Sequence, residues 1–248
     1  MPPPAHRRLL AWLLAAVIGA AASARAADPA AAPADGREAE RLRMVAEQIE
    51  ARGVTDPRVL AALRHVPRHR FVPPERAADA YADQAVAIGH GATISQPYVV
   101  AVMTEQAAVR PGARVLEVGT GSGYQAALLA ELGGEVYTIE IVEPLARRAG
   151  EALRQAGYAG VRVRAGDGYR GWPGAAPFDA ILVTAAAPRV PQPLLDQLAV
   201  GGRLVIPVEV ADGAQELQVH ERTEAGISTR RVLGVRFVPM TGEVQEGR

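Results

Sequence analysis

"VLEVGTGSGYQ", residues 115–125, decides the fold. Val115, Leu116 and Val118 make a short apolar strand, Gly119-Thr120-Gly121-Ser122-Gly123 a tight turn, and Tyr124 begins "YQAALLAEL", which reads as a helix. A strand, a glycine loop and a helix N-terminus in that order form a cradle for a nucleotide-like ligand. The dinucleotide pattern G-x-G-x-x-G would need glycine at 119, 121 and 124. Position 124 is tyrosine, and the third glycine falls one residue early, at 123. A nicotinamide or flavin dinucleotide is therefore not the first expectation.

Working outward, the pattern after Pro97 alternates regularly. The spacing predicts helix 98–109, strand 114–118, helix 124–132, strand 135–141, helix 143–156 and strand 161–165. Strand 178–185, a short helix near 192–199, strand 203–208 and two late strands, 215–223 and 229–238, follow. Such alternation predicts an α/β fold, a mainly parallel sheet with helices on both faces and a terminal antiparallel pair. Upstream, Leu42, Val45, Ala46 and Ile49 share one face of an amphipathic helix over 37–52. A second helix, 57–65, has Asp56 as cap and Pro57 in its first turn. Residues 66–74 read as a Pro-punctuated loop, and 81–97 as a long connection without period, the kind of segment that often carries function. One domain over 37–243 is expected, with helices and a substrate loop in 37–97, a core in 98–243, and a tail at 244–248.

Composition narrows the chemistry. All 27 basic residues are arginine and 27 acids balance them, so no broad basic face for nucleic acid is indicated. Without lysine there is no Schiff base and no P-loop lysine; without cysteine there is no thiol nucleophile, thiolate zinc site or disulfide. The five histidines lack metal-site spacing: only His65 and His69 stand four apart, with Pro67 between them, and no metal is expected. At the N-terminus, Arg7-Arg8, an apolar run over 9–22 and Ala24-Arg25-Ala26 have the form of a secretory signal cleaved after Ala26. An Ala/Pro linker, 27–36, follows. The apolar run is short for a membrane span, so no stable insertion is expected after cleavage. The product would be exported to the periplasm; a start at Met44 would instead leave it cytoplasmic.

In an open parallel sheet, ligands lie beyond the carboxyl ends of the strands. There the sequence delivers Glu117 and the glycine loop, then Glu140, 21 residues after Gly119, then Asp167 and Gly168, and finally Thr184 beside small residues. Asp179, at the start of its strand, is read as structural. An acidic rim repels a diphosphate but suits a ligand carrying a sulfonium and an ammonium and no phosphate, which is S-adenosylmethionine. The pattern resembles the seven-stranded Rossmann-like methyltransferases. The resemblance implies that Glu117, Gly119, Thr120, Gly121, Ser122 and Gly123 approach the methionine part, that Glu140 holds the ribose, and that Asp167 contacts the adenine amine, with Gly168 and Thr184 alongside.

The acceptor is narrowed by absences. Base-amine methylation usually uses an Asn/Asp-Pro-Pro-aromatic stretch after the fourth strand, where this chain reads Thr184-Ala185-Ala186-Ala187, and cytosine-carbon methylation needs a cysteine. "VPRHRFVP" (66–73), "AIGHGATISQPYVV" (87–100), "FDAILVTAAAPRVPQPLLDQL" (178–198) and "VRFVPMTGE" (235–243) are similar to the protein-L-isoaspartate (D-aspartate) O-methyltransferases, from about Met44 to Glu243. That family's acceptor is the free α-carboxylate of isoaspartyl residues in peptides and proteins. The resemblance makes Ser95 the active-site residue and has Ile94, Ser95 and Gln96 line the substrate cleft. Two rivals stay open: a methyltransferase of the same fold acting on a small-molecule oxygen or a protein amine, and an S-adenosylmethionine-binding module without turnover. The sequence carries no signature of an oligomeric state.

Overall fold

The structure, a computed structural model, describes residues 36–245. The leader (1–26), nearly all of the linker (27–36) and residues 246–248 of the tail lie outside the described residues. A seven-stranded sheet organises the fold. Its strands are β3 (Arg114–Val118), β4 (Glu135–Glu140), β5 (Arg162–Ala165), β6 (Phe178–Val183), β7 (Leu198–Glu209), β8 (Gln215–Thr223) and β9 (Gly226–Val235), in the order β5-β4-β3-β6-β7-β8-β9. From β5 to β7 neighbours run parallel, whereas β7, β8 and β9 form an antiparallel meander. Strand order reverses between β3 and β6, and such a switch point opens a crevice at the carboxyl ends of the strands.

Side-chain alternation splits the interior into two cores, one on each sheet face. Val115, Ala180, Leu182 and Val205 belong to one, and Leu116, Ile181, Val183 and Leu204 to the other. The first is closed by the helices α1 (Glu38–Met44), α2 (Pro57–His65), α3 (Pro97–Ala107), α4 (Tyr124–Glu131) and α5 (Glu143–Gln155). Helix α5 shows why: Leu145, Ala146, Ala149 and Leu153 make its buried stripe and charged residues fill the other face. The second face carries one short helix, α6 (Gln192–Asp196), with the irregular segments 166–177 and 238–245.

Local chemistry sets the boundaries of α2: the Asp56 carboxylate accepts the N–H groups of Arg58 (2.8 Å) and Val59 (3.4 Å), and Pro57 fills the first position. Two expectations need correction. The segment 81–97 contains a small antiparallel hairpin, β1 (Val86–Gly89) and β2 (Ala92–Ile94), in which Val86, Ile88 and Ile94 face inward. Its alternation is only a few residues long and is interrupted by Gly89, His90 and Gly91, all at positive φ, so no period shows in the sequence. Nor is Val244 tail: it is 0% exposed and packs in the second core, which carries the domain to the end of the described residues.

Candidate active site

The glycine loop occupies the crevice, and its backbone is already committed. The N–H groups of Gly119 and Thr120 donate to the Ile139 carbonyl (2.8 and 3.2 Å), that of Gly121 to Glu140 Oε2 (2.8 Å), that of Gly123 to the Thr120 carbonyl (2.8 Å), and that of Tyr124 to Ser122 Oγ (3.2 Å). A phosphate-binding loop leaves such donors free. Here three of the five bonds run to β4 and two stay within the turn, so few of the loop's donors are left for a ligand. Approach is close because side chains are missing: a Cβ on Gly119 would strike Thr184 Oγ1, and one on Gly168 would strike Val118. Thr184 Oγ1 donates to the Gly119 carbonyl (2.5 Å), tying β6 to the loop.

Gly119, Gly121, Glu140, Gly168 and Thr184 line one cavity of about 290 Å³. His90 to Thr93 from the hairpin close it above, and Val238 to Thr241 close it from the C-terminal segment. Glu140, 6% exposed, is its one acidic wall residue, and no arginine lines it. Each Glu140 oxygen accepts one backbone N–H, from Gly121 (2.8 Å) and Val142 (2.9 Å), and keeps a further lone pair. A cavity with one carboxylate, no arginine and a loop whose donors are mostly spent disfavours a phosphate and suits a positively charged nucleoside.

Other acids expected on this rim lie elsewhere. Glu117 is 0% exposed in the central strand β3, between Thr138 of β4 and Leu182 of β6. Its Oε2 accepts from Thr138 Oγ1 (2.5 Å), which pairs with Thr120 Oγ1 (2.6 Å); its Oε1 has no partner among the described residues. Thr120 and Ser122 are thus spent on the inside of the loop, and Gly123 packs against Leu153. Asp167 also stands back. Its oxygens accept the N–H groups of Tyr169 and Glu243 (both 2.8 Å), so it fastens the C-terminal segment that walls the cavity. Asp179 accepts the Arg114 N–H (2.7 Å) at the far end of the sheet, as read.

Burial pushes the Glu117 carboxyl up to about 8, the Thr138 hydrogen bond opposing and the Glu140 charge adding to the rise. An acid whose pKa rises on folding holds its proton more tightly in the folded chain, so stability falls as pH climbs from 4.5 to about 8. Glu117→Gln is therefore expected to flatten the decline of Tm across that interval for the cofactor-free protein. A pH profile of Tm identical to that of the unsubstituted chain would show that Glu117 ionises freely.

A second, larger cleft of about 720 Å³ adjoins the first, and Thr93, Thr184 and Val238 line both. Ser95, Gln96, Tyr98 and Val99 floor it at the start of α3. Gln96 is the N-cap, yet no side chain caps the helix. No described residue takes the Ser95 hydroxyl. Gln96 Nε2 donates to Asp83 Oδ1 (2.8 Å), and Arg52 stacks over Tyr98 at 3.7 Å, which builds the cleft wall. Ile94 departs from expectation: it is 4% exposed, and strand parity turns it inward while Thr93 and Ser95 face the cleft.

A mainly parallel sheet with this switch point, a three-glycine loop bonded to its neighbour strand and a carboxylate at the end of β4 define a Rossmann-like, S-adenosylmethionine-dependent methyltransferase. The family model for protein-L-isoaspartate(D-aspartate) O-methyltransferase matches residues 39–245. A protein-L-isoaspartate O-methyltransferase of Gloeobacter violaceus is 59% identical over 200 residues, covering 81% of this chain and 98% of the relative. One from Cupriavidus necator, protein-L-isoaspartate O-methyltransferase 1, is 50% identical over 246 residues, 97% of this chain and 95% of that one. Among solved structures, a Plasmodium falciparum protein assigned to the same activity and crystallised with S-adenosyl-L-homocysteine superposes with a TM-score of 0.72 at 27% identity, covering 81% of this chain and 98% of its own. This chain belongs to the protein-L-isoaspartate (D-aspartate) O-methyltransferase family and is an enzyme that uses S-adenosylmethionine.

The hairpin wall, His90 to Thr93, and the C-terminal wall, Val238 to Thr241, were not singled out from sequence as site residues. The first lies in the 81–97 segment read as a functional connection, with glycines flanking His90. The second is irregular backbone brought in by a contact 76 residues away along the chain, which no local pattern announces.

Proposed function

We propose that the chain methylates the free α-carboxylate of L-isoaspartyl and D-aspartyl residues in damaged peptides and proteins, and that Ser95 and the start of α3 hold that carboxylate. The observation that carries the reading is the shared wall: a cavity suited to a cationic nucleoside meets, across Thr93, Thr184 and Val238, a cleft floored by an uncapped helix N-terminus. Helix N-termini favour anions through their free N–H groups and dipole. When bound, the cofactor supplies a methyl group on an electrophilic sulfonium. The acceptor carboxylate is ionised at neutral pH, with an unperturbed pKa of about 4, so no strong base is required of the protein.

The protein's work is orientation and exclusion of water. Glu140 has lone pairs for the two ribose hydroxyls, Gly119 and Gly121 let the methionine part pass close to the backbone, and Gly168 leaves room beside Val118. The Ser95 hydroxyl donates to one carboxylate oxygen and leaves the other for in-line attack. A carboxylate O–CH3 bond forms as the S–CH3 bond breaks, giving a methyl ester and a neutral thioether. The ester then closes spontaneously to a succinimide with loss of methanol, and hydrolysis returns part of the product as normal aspartate.

Ser95→Ala is expected to lower kcat/KM for an isoaspartyl peptide about tenfold or more, about 1.4 kcal/mol, with S-adenosylhomocysteine affinity nearly unchanged. Unaltered kinetics would reject the assignment. A small-molecule or amine acceptor would show instead as methylation that ignores the isoaspartyl linkage and releases no methanol.

Among the described residues, no helix is long and apolar enough to cross a membrane. We infer export from the leader; the Cupriavidus necator match, covering 97% of this chain, reaches into residues 1–43 and favours a start upstream of Met44. N-terminal sequencing of native protein distinguishes Ala27 from Met1 or Met44 as first residue.

A further inference from the structure

Arg68 is 0% exposed and has no carboxylate partner among the described residues. Its Nε donates to the Ala80 carbonyl (2.7 Å) and its Nη2 to the Ser95 carbonyl (2.7 Å). Among the described residues Nη1 has no partner, nor has the Tyr124 hydroxyl, although the guanidinium carbon lies 5.1 Å from the centre of the Tyr124 ring. Burial pulls the guanidinium down to about 10, which still leaves it cationic at neutral pH. A lone buried cation is costly, and an apolar side chain of similar volume fills such a space at less expense. Packing alone therefore does not account for an arginine here.

Its neighbours suggest a use. Ser95 floors the acceptor cleft, and Tyr124 is the first residue after the glycine loop, so the guanidinium bonds the cleft floor and lies beside the helix that follows the loop. The Ser95–Gln96 peptide is trans, which points the Ser95 C=O and the Gln96 N–H in opposite directions. With the carbonyl drawn into the interior by Arg68, that N–H turns toward the cleft. We propose that Arg68 is a positioning residue for methyl transfer: it orients the Ser95–Gln96 peptide so that its N–H meets the acceptor carboxylate, and its uncompensated charge makes that spot selective for an anion. The inference rests on the carboxyl-methylation reading above.

Arg68→Met keeps the volume and removes the charge, and Arg68→Lys keeps the charge but reaches only one of the two carbonyls. Three quantities are measured on the full chain: KM for an isoaspartyl peptide, the dissociation constant of S-adenosylhomocysteine, and competitive inhibition by the same peptide with its α-carboxylate replaced by a carboxamide. For Arg68→Met, KM is expected to rise about tenfold and S-adenosylhomocysteine affinity to change less than about threefold. The preference for carboxylate over carboxamide should fall at least about fivefold, with the carboxamide little affected. Arg68→Lys should raise KM at least about threefold while keeping more of the preference. Should the methionine variant fail to fold, the lysine variant alone decides. Wild-type KM and preference in the folded variants, or equal losses for carboxylate and carboxamide, would overturn the role. An unsubstituted enzyme without turnover on the isoaspartyl peptide would overturn instead the reading beneath it.

Discussion

Replacing Gly119 by alanine is expected to weaken S-adenosylhomocysteine binding by about a hundredfold or more, about 2.7 kcal/mol. Two costs combine. Gly119 sits at φ +97°, a left-handed conformation that costs a residue bearing a Cβ roughly 1–2 kcal/mol. The added carbon also strikes Thr184 Oγ1, so the 2.5 Å hydrogen bond from that hydroxyl to the Gly119 carbonyl must break or shift. Both errors fall on the cavity wall. Gly157→Ala separates them, since Gly157 has a similar φ of +93° in an exposed turn with open space around it. That variant should lose about 1 kcal/mol of stability and leave calorimetric affinity unchanged. Equal affinity in the two variants would mean that the loop does not contact the cofactor.

Glu140→Ala should have a comparable effect, about a hundredfold loss in the same titration. The carboxylate accepts the Gly121 and Val142 N–H groups, and by the proposed reading also two ribose hydroxyls; hydrogen bonds to a charged group contribute roughly 1.5–3 kcal/mol each when intact. Its removal strips the ribose of partners and also leaves two backbone donors unsatisfied, Gly121 in the loop and Val142 ahead of α5. A ligand without the ribose hydroxyls offers the internal check: 2′,3′-dideoxy-S-adenosylhomocysteine should bind wild type and variant with nearly the same affinity. If the variant instead discriminates between the two ligands as strongly as wild type does, the ribose lies elsewhere.

Legibility in the sequence followed the range of the interactions. β3, the glycine loop and α4 are contiguous, and each is written in local chemistry: apolar strand, glycines, then a run of helix formers. Glu140 was readable because a strand-end acid at that interval has few alternatives. Its neighbours were harder. Glu117 and Asp167 have the right residue type near the right strand ends, yet burial inside β3 withdraws the first and the backbone of Tyr169 and Glu243 engages the second. Ile94 shows the sensitivity of strand parity, since a one-residue step turns a cleft residue into a core residue. Arg68 was hidden for the opposite reason: among 27 arginines nothing in the sequence marks it as buried, with no carboxylate partner among the described residues.

The meeting of the two pockets is tested most directly by a crystal structure of the enzyme with S-adenosylhomocysteine and an isoaspartyl peptide. The account predicts ribose on Glu140, sulfur at the wall shared by Thr93, Thr184 and Val238, and the peptide α-carboxylate on the Ser95 hydroxyl and the Gln96 N–H. One carboxylate oxygen should then stand about 3–3.5 Å from where the transferable methyl would be. A peptide bound with that carboxylate turned to solvent, or a nucleoside seated away from Glu140, would contradict it.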